Sequence, residues 1–290
     1  MKVCGFTIIR NAQKFDYPIV EAINSILPLC DKLIVVVGNS DDDTRNIIEK
    51  IDPKKIQIVD SIWEESMRAG GKVLAVETNK AIDSLPEDYS WAFYIQADEV
   101  VHEKYHSSIM LAMKRWEDDP TVDGLLFNYL HFYGSYDFIG DSTRWYRNEV
   151  RIIRCDKAIR SFRDAQGFKK DGKLLQVRKA NAFIYHYGWV KPPELQQEKQ
   201  KYFHSLWHSD DWLKKNISTA TEFDYSKIDS LSRFNGSHPL VMQKRISKTT
   251  WKFNFDPSKR KLSFKSQLKQ FVENKTGWRP GEYKNYKLLK

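Results

Sequence analysis

From Lys2 to Ile95 the chain alternates short apolar runs with segments of helical spacing, and this rhythm constrains the fold more than any other feature. Lys2 to Arg10, Lys32 to Val37, Lys55 to Asp60 and Trp91 to Ile95 read as strands, rich in β-branched and aromatic residues. Between the first two, Ile19, Val20, Ile23, Ile26 and Leu27 form a helical stripe, with Asp16 as the expected cap, Pro18 early and Pro28 at its end. Thr44 to Ile51, stopped by Pro53, and Val73 to Leu85 supply two more helices. Strands separated by helices pair in parallel through right-handed crossovers, and a parallel sheet needs cover on both faces. The expectation is an α/β domain of nucleotide-binding type, its sheet mostly parallel with helices on both faces.

Beyond a helix around Glu103 to Trp116 the rhythm changes. Val122 to Phe132, Glu149 to Cys155 and Ala182 to Tyr187 are strand-like and separated by long polar connections, which predicts a mixed extension of the same sheet. From Pro192 to about Asn216 the sequence is polar and helical, then loop-rich with a basic, aromatic tail. The expected division is a domain over 1–191 and a helical, basic carboxy-terminal extension over 192–290.

The net charge of +9 is concentrated in that tail, where Lys244 and the many cations after it face only Asp256, Glu273 and Glu282. Interleaved with Trp251, Phe253, Phe255, Phe264, Phe271 and Trp278, such a block suits an anionic surface, or serves as the solvated face of ordinary helices. No apolar run approaches the ~20 residues of a membrane-spanning helix, and no signal-peptide pattern opens the chain, so a cytoplasmic location, peripheral at the membrane, is expected. Cys4, Cys30 and Cys155 are scattered without CxxC spacing, which indicates neither a disulfide framework nor a zinc site.

Chemistry concentrates where the expected strands end. The run Trp91 to Ile95 stops at Asp98 and Glu99, and strand ends of open α/β sheets are where ligands bind. Carboxylates there suit Mg²⁺ or Mn²⁺ and, through the cation, a diphosphate; the competing reading makes Asp98 the cap of the helix that follows. Arg10 and Asn11 end the first strand, and Gly38 and Asn39 open the turn after the second, so all would share one sheet edge with Asp98. Arg68-Ala69-Gly70-Gly71-Lys72 is a glycine-rich helix entry with flanking cations that could meet a diphosphate, although neither GxxxxGK[ST] nor GxGxxG is present. His186, followed by Tyr187 and Gly188 at the end of an apolar run, could offer an imidazole to a metal or be a satisfied core histidine.

In this order the motifs resemble those of the family-2 nucleotide-sugar glycosyltransferases of the GT-A fold, over roughly Lys2 to Pro193. The resemblance rests on Thr7-Ile8-Ile9-Arg10-Asn11, on Ala22 to Pro28, on Asp31 to Thr44, on Gln96-Ala97-Asp98-Glu99 at the acidic metal motif, and on His186-Tyr187-Gly188. It implies an inverting transfer of a sugar from a nucleotide-diphosphate donor to an acceptor hydroxyl, of the kind used in bacterial-type surface glycan synthesis. The acceptor would be a glycan or a lipid-linked precursor. It also implies Mn²⁺ or Mg²⁺ held by Asp98 with help from Glu99 or His186, nucleotide contacts from Arg10, Asn11, Gly38, Asn39, Lys72 and Gln96, and Asp164 as general base, with Asp141 and Glu149 as competitors. The sequence departs from the family where Gln96 replaces an acidic residue and where Val37 or Gly38 stands at the end of strand two. A metal-dependent nucleotidyltransferase would share the fold and the cation. A basic nucleic-acid-binding α/β protein would explain the charge but leave the acidic strand tip without a role.

Overall fold

The computed structural model describes residues 1–64, 67, 69–217 and 219–289. At the amino-terminal end β1 (Val3–Ile9), α1 (Ile19–Ile26), β2 (Lys32–Gly38), α2 (Thr44–Glu49), β3 (Ile56–Ser61), α3 (Lys72–Asp83) and β4 (Trp91–Tyr94) follow the expected rhythm. The four strands are parallel, in the spatial order β3-β2-β1-β4. The cause is visible in β1 and β4, whose side chains alternate between two apolar layers. Val3, Ile9, Trp91 and Phe93 pack on one face with α1, while Cys4, Phe6, Ala92 and Tyr94 pack on the other with Ala81 and Ile82 of α3.

The chain continues through β5 (Glu99–Val101), α4 (His106–Arg115), β6 (Gly124–Tyr133), β7 (Ser135–Gly140), β8 (Asn148–Arg154), β9 (Ile159–Phe162), β10 (Gly167–Lys170) and β11 (Lys173–Trp189). β8 enters antiparallel between β4 and β6, and β11 runs parallel to β6, so the sheet becomes mixed as expected. The result is an α/β fold whose amino-terminal strands are parallel and whose extension is mixed, with helices on both faces.

Three local expectations are corrected. Asp16 does not cap α1; it adopts a left-handed backbone, φ 47°, and its carboxylate pairs with Arg245. The short run Ala182 to Tyr187 is the end of the 17-residue β11, whose first half the charges of Lys173, Arg178 and Lys179 disguise. Past residue 192, α5 (Pro193–Ser205), α6 (Asp210–Asn216), α7 (Gln243–Ile246) and α8 (Phe264–Thr276) are accompanied by β12 (Leu231–Arg233) and β13 (Tyr286–Leu288). β12 pairs with β7 and β13 with β11, so the carboxy-terminal stretch re-enters the sheet.

A fully buried ion pair lies under the end of β4. Arg151 of β8 grips Glu99 of β5 through Nε to Oε2 at 2.8 Å and Nη2 to Oε1 at 2.7 Å, both residues being 0% exposed. Tyr129 Oη donates to Glu99 Oε1 at 2.7 Å and the Gln96 amide to Oε2 at 3.1 Å, while Arg151 Nη1 donates to the Gln166 carbonyl at 3.0 Å. Removing one partner of such a pair strands the other charge in the interior. Glu99→Gln is expected to cost about 3–5 kcal/mol by chemical denaturation, and the pair replacement Glu99→Gln with Arg151→Met less than the two single costs added. Additive losses in that double-mutant cycle would show that the two side chains are not coupled.

Candidate functional site

Asp98 owes its position to a tight turn and a strand pairing. The Glu99 amide donates to the Gln96 carbonyl at 3.0 Å, and β5 then runs antiparallel to β11 with Glu99 opposite His186. The Tyr187 amide donates to the Asp98 carbonyl at 2.8 Å, which brings the Asp98 carboxylate to 3.7 Å from His186 Nε2. Asp98 is therefore not a helix cap: β5 separates it from the next helical turn, whose capping side chain is His102. Gly188 lies beneath this pair. A Cβ there would come within 2.7 Å of Asp98 Oδ2 and 2.8 Å of His186 Nε2, so any larger residue would fill the gap.

The protonation of His186 follows from its neighbours. His131 of β6, opposite His186 in the ladder, has Nε2 2.8 Å from the Tyr146 carbonyl and Nδ1 3.2 Å from His186 Nδ1. A carbonyl only accepts, so His131 Nε2 carries the hydrogen. Burial, reinforced by His186, pushes His131 down to about 3, so its Nδ1 is bare and accepts from His186 Nδ1–H. His186 is itself lowered by burial, against the opposing pull of Asp98. Its Nε2 thus turns an unprotonated lone pair toward Asp98.

Burial alone would raise the Asp98 carboxyl, but the Lys199 ammonium, with Lys191 behind it, holds it well below the usual carboxylate range. An ionised carboxylate and a neutral imidazole over an open glycine are a donor pair that suits Mn²⁺ or Mg²⁺. Among the described residues no group of three or more His, Cys, Asp and Glu side chains could hold a metal ion, so the remaining positions would fall to water and ligand oxygens. Glu99 is not available to help. Both its oxygens are engaged by Arg151, Tyr129 and the Gln96 amide.

Asp98 and His186 line a cavity of about 480 Å³, together with Arg10, Gln96 and Asp164. Of the expected nucleotide contacts, Arg10 and Gln96 are in this wall. Asn11, Gly38 and Asn39 instead tie the ends of β1 and β2 together: Asn11 Oδ1 accepts from the Asp41 amide, Asn39 Oδ1 from the Trp63 amide, and Gly38 packs against the Trp63 indole. Lys72 lines a second cavity of about 500 Å³ with Arg163, Trp207 and Tyr283, whereas Arg68 lies outside the described residues. Asp164 and Gln166 belong to both cavities. Trp63 in the first wall and Trp207 in the second each keep a buried indole nitrogen without a hydrogen-bond partner among the described residues.

Asp164 sits in a loop held in an unusual backbone. Arg163 and Ala165 on either side have φ of 55° and 61°, a region that side chains rarely adopt. Burial raises the Asp164 carboxyl, with backbone amides opposing. Of its competitors, Asp141 pairs with Arg260 at 3.2 Å and Glu149 is bound by Gln166 at 2.6 Å and Asn285 at 2.8 Å; neither lines the cavities. The residues that the sequence did not indicate are His131, Lys199 and Arg151.

No protein-family model and no curated protein matches the chain. Among solved structures it is similar to residues 1–349 of S. aureus TarS in complex with UDP, at 13% identity and TM-score 0.40, over 70% of this chain and 64% of that one. Against the longer TarS structure it spans 39% of that chain. Glucosyl-3-phosphoglycerate synthase from Mycobacterium tuberculosis, with Mn²⁺, UDP and glucosyl-3-phosphoglycerate, gives 15% identity and TM-score 0.31 over 46% and 45%. A 4-diphosphocytidyl-2C-methyl-D-erythritol synthase from Anaerococcus prevotii gives 10% and 0.33 over 53% and 70%. Likenesses of this extent leave the chemistry to be argued from the side chains.

Glu149 makes the support of the site sensitive to pH. Burial, opposed by Arg151, raises its carboxyl from 4.5 to about 7. The native state therefore keeps a proton that the unfolded chain releases near 4.5. The associated stability is full below that value and is lost as pH rises through about 7, by an amount on the order of 3 kcal/mol. Glu149→Gln, which cannot ionise, is expected to flatten this part of the stability curve; an unchanged slope between pH 4.5 and 7 in urea titrations would assign it to other groups.

Proposed function

We propose that the chain is a glycosyltransferase that moves a sugar from a nucleoside-diphosphate donor to an acceptor hydroxyl with inversion. The observation that carries this reading is Asp164, a partly buried carboxylate in the wall common to two cavities, one of which also contains Asp98 and His186. Inversion requires a base on the face of the sugar opposite the leaving diphosphate. A donor in the first cavity, its diphosphate toward Asp98, and an acceptor entering from the second would meet beside Asp164. Burial makes that carboxyl a stronger base than an exposed aspartate.

Asp98 and His186 would hold Mn²⁺ or Mg²⁺, which offsets charge developing on the departing diphosphate. Arg10 and Gln96 face the nucleotide side. Lys72 and Arg163, with the aromatic rings of Trp207 and Tyr283, face the acceptor side, a lining that suits a sugar carrying negative charge. A nucleotidyltransferase would use the cation equally well, but it would leave the second cavity and its link to Asp164 without a role.

The acceptor is read as membrane-borne on the strength of α8. Its apolar residues Phe264, Leu268 and Phe271 are 83%, 55% and 61% exposed, while polar Gln270 and Glu273 turn inward to the Asp141 carbonyl and to Arg147 and Arg279. Lys265 and Lys275 flank this outward apolar stripe, and Trp278, 61% exposed, follows it. Apolar side chains among lysines match an anionic phospholipid surface. No described helix is long and apolar enough to cross a membrane.

Equilibrium binding of nucleoside diphosphates with and without Mn²⁺ tests the reading. Asp98→Asn is expected to weaken the Mn²⁺-dependent part. Asp164→Asn is expected to lower donor turnover, followed as slow hydrolysis if the acceptor is unknown, by about 10²–10⁴-fold with diphosphate affinity retained. Wild-type turnover by the Asn variant would remove Asp164 as base.

For α8, vesicles containing phosphatidylglycerol are expected to sediment the protein and phosphatidylcholine vesicles to leave it in solution. Phe264→Ser with Phe271→Ser should reduce the partition by at least about tenfold, given ~1.5–3 kcal/mol for burying each ring. Equal partition of wild type and variant would remove α8 from the membrane contact.

A further inference from the structure

The Asp98 carboxylate already has a cation beside it. Lys199, in the middle of α5, is only 7% exposed, and its ammonium lies 3.1 Å from Asp98 Oδ2 and 2.9 Å from the Gly188 carbonyl. Tyr17 lies under that ammonium at 4.8 Å from ring centroid to Nζ, and the fully buried Lys191 stacks on the same ring at 4.8 Å. So one carboxylate faces one paired lysine, with a second lysine close by and a neutral imidazole on the other side.

A divalent ion placed here alone would meet positive charge and would displace the ammonium from the carboxylate it pairs with. It would find two protein donors, Asp98 and His186, where Mn²⁺ or Mg²⁺ usually takes about six ligands. An ion that arrives with a diphosphate brings further oxygens, and those oxygens also give the displaced ammonium a new partner. Charge then stays close to balanced: carboxylate and diphosphate face cation and ammonium, instead of one carboxylate facing three positive charges.

We infer that Lys199 reserves Asp98, holding the carboxylate in the free protein and yielding it only to a divalent cation that arrives with a nucleoside diphosphate, whose oxygens the ammonium then takes up. Lys199 is a positioning residue that couples cation binding to donor binding. The identity of the anion rests on the glycosyltransferase reading; the exclusion of free cation does not.

The test is a titration of the full chain with Mn²⁺, read as free ion by electron paramagnetic resonance, alone and in the presence of UDP, GDP, CDP or ADP. Wild type is expected to bind Mn²⁺ at least about tenfold more tightly with its preferred diphosphate than without, equivalent to about 1.4 kcal/mol. Lys199→Met removes the charge at similar length and should gain about tenfold or more in affinity for Mn²⁺ alone, a gain that Asp98→Asn in the same background cancels. Lys199→Arg keeps the charge and should behave as wild type. A folded Lys199→Met protein, judged by its melting transition, with wild-type affinity for free Mn²⁺ overturns the inference. If that variant does not fold, wild type that takes up Mn²⁺ equally with and without diphosphate overturns it as well. A gain of free Mn²⁺ binding in Lys199→Met with no diphosphate bound by any form would keep the exclusion role and remove the glycosyltransferase reading.

Discussion

The geometry of the site depends on an interaction that does not touch it. The Glu99–Arg151 pair is buried beneath the end of β4 and reaches both loops that frame the first cavity, the Gln96 turn through the Gln96 amide and the Asp164 loop through the Gln166 carbonyl. Desolvating two charges is costly, and a bidentate contact, the Tyr129 hydroxyl and flanking Tyr94 and Tyr129 rings offset that cost. An apolar pair of the same volume would fill the space without fixing either loop. Directional bonds to a backbone amide on one side and a backbone carbonyl on the other keep Asp98 and Asp164 in register.

The parts of this arrangement that were legible in the sequence are those that local patterning dictates. Alternating apolar runs and helical stripes require a parallel sheet, and a buried run that ends abruptly at a carboxylate marks its C-terminal edge, so Asp98 could be found from its neighbours alone. Glu99 could not. Adjacent residues look equivalent in a string, but a strand that begins at Glu99 sends the second carboxylate into the core, and its partner Arg151 sits 52 positions away. His131 lay inside an apolar run of β6, where nothing local separates a ring that sets its neighbour's tautomer from one that merely packs.

Lys199 was hidden for a different reason. α5 buries Gln196, Gln197 and Lys199, a polar stripe where an ordinary helix would bury leucines. In sequence this reads as a solvated helix. In the fold it is a helix laid over the Asp98 end of the first cavity, and the buried polar stripe is the mark of that position. The usual inference from polarity to exposure fails wherever the surface being covered is itself charged.

The return of the carboxy-terminal stretch into the sheet decides which part of the chain completes the site. Asn285, beside β13, binds Glu149, and Glu273 and Glu282 hold Arg147 at the start of β8, while α5 brings Lys199 to Asp98. The residues up to the end of β11 include the Asp98–His186 pairing, but neither Lys199 nor the residues that brace β8. The site is thus shared between the two ends of the chain, with the tail acting as the closing fastener of the amino-terminal half.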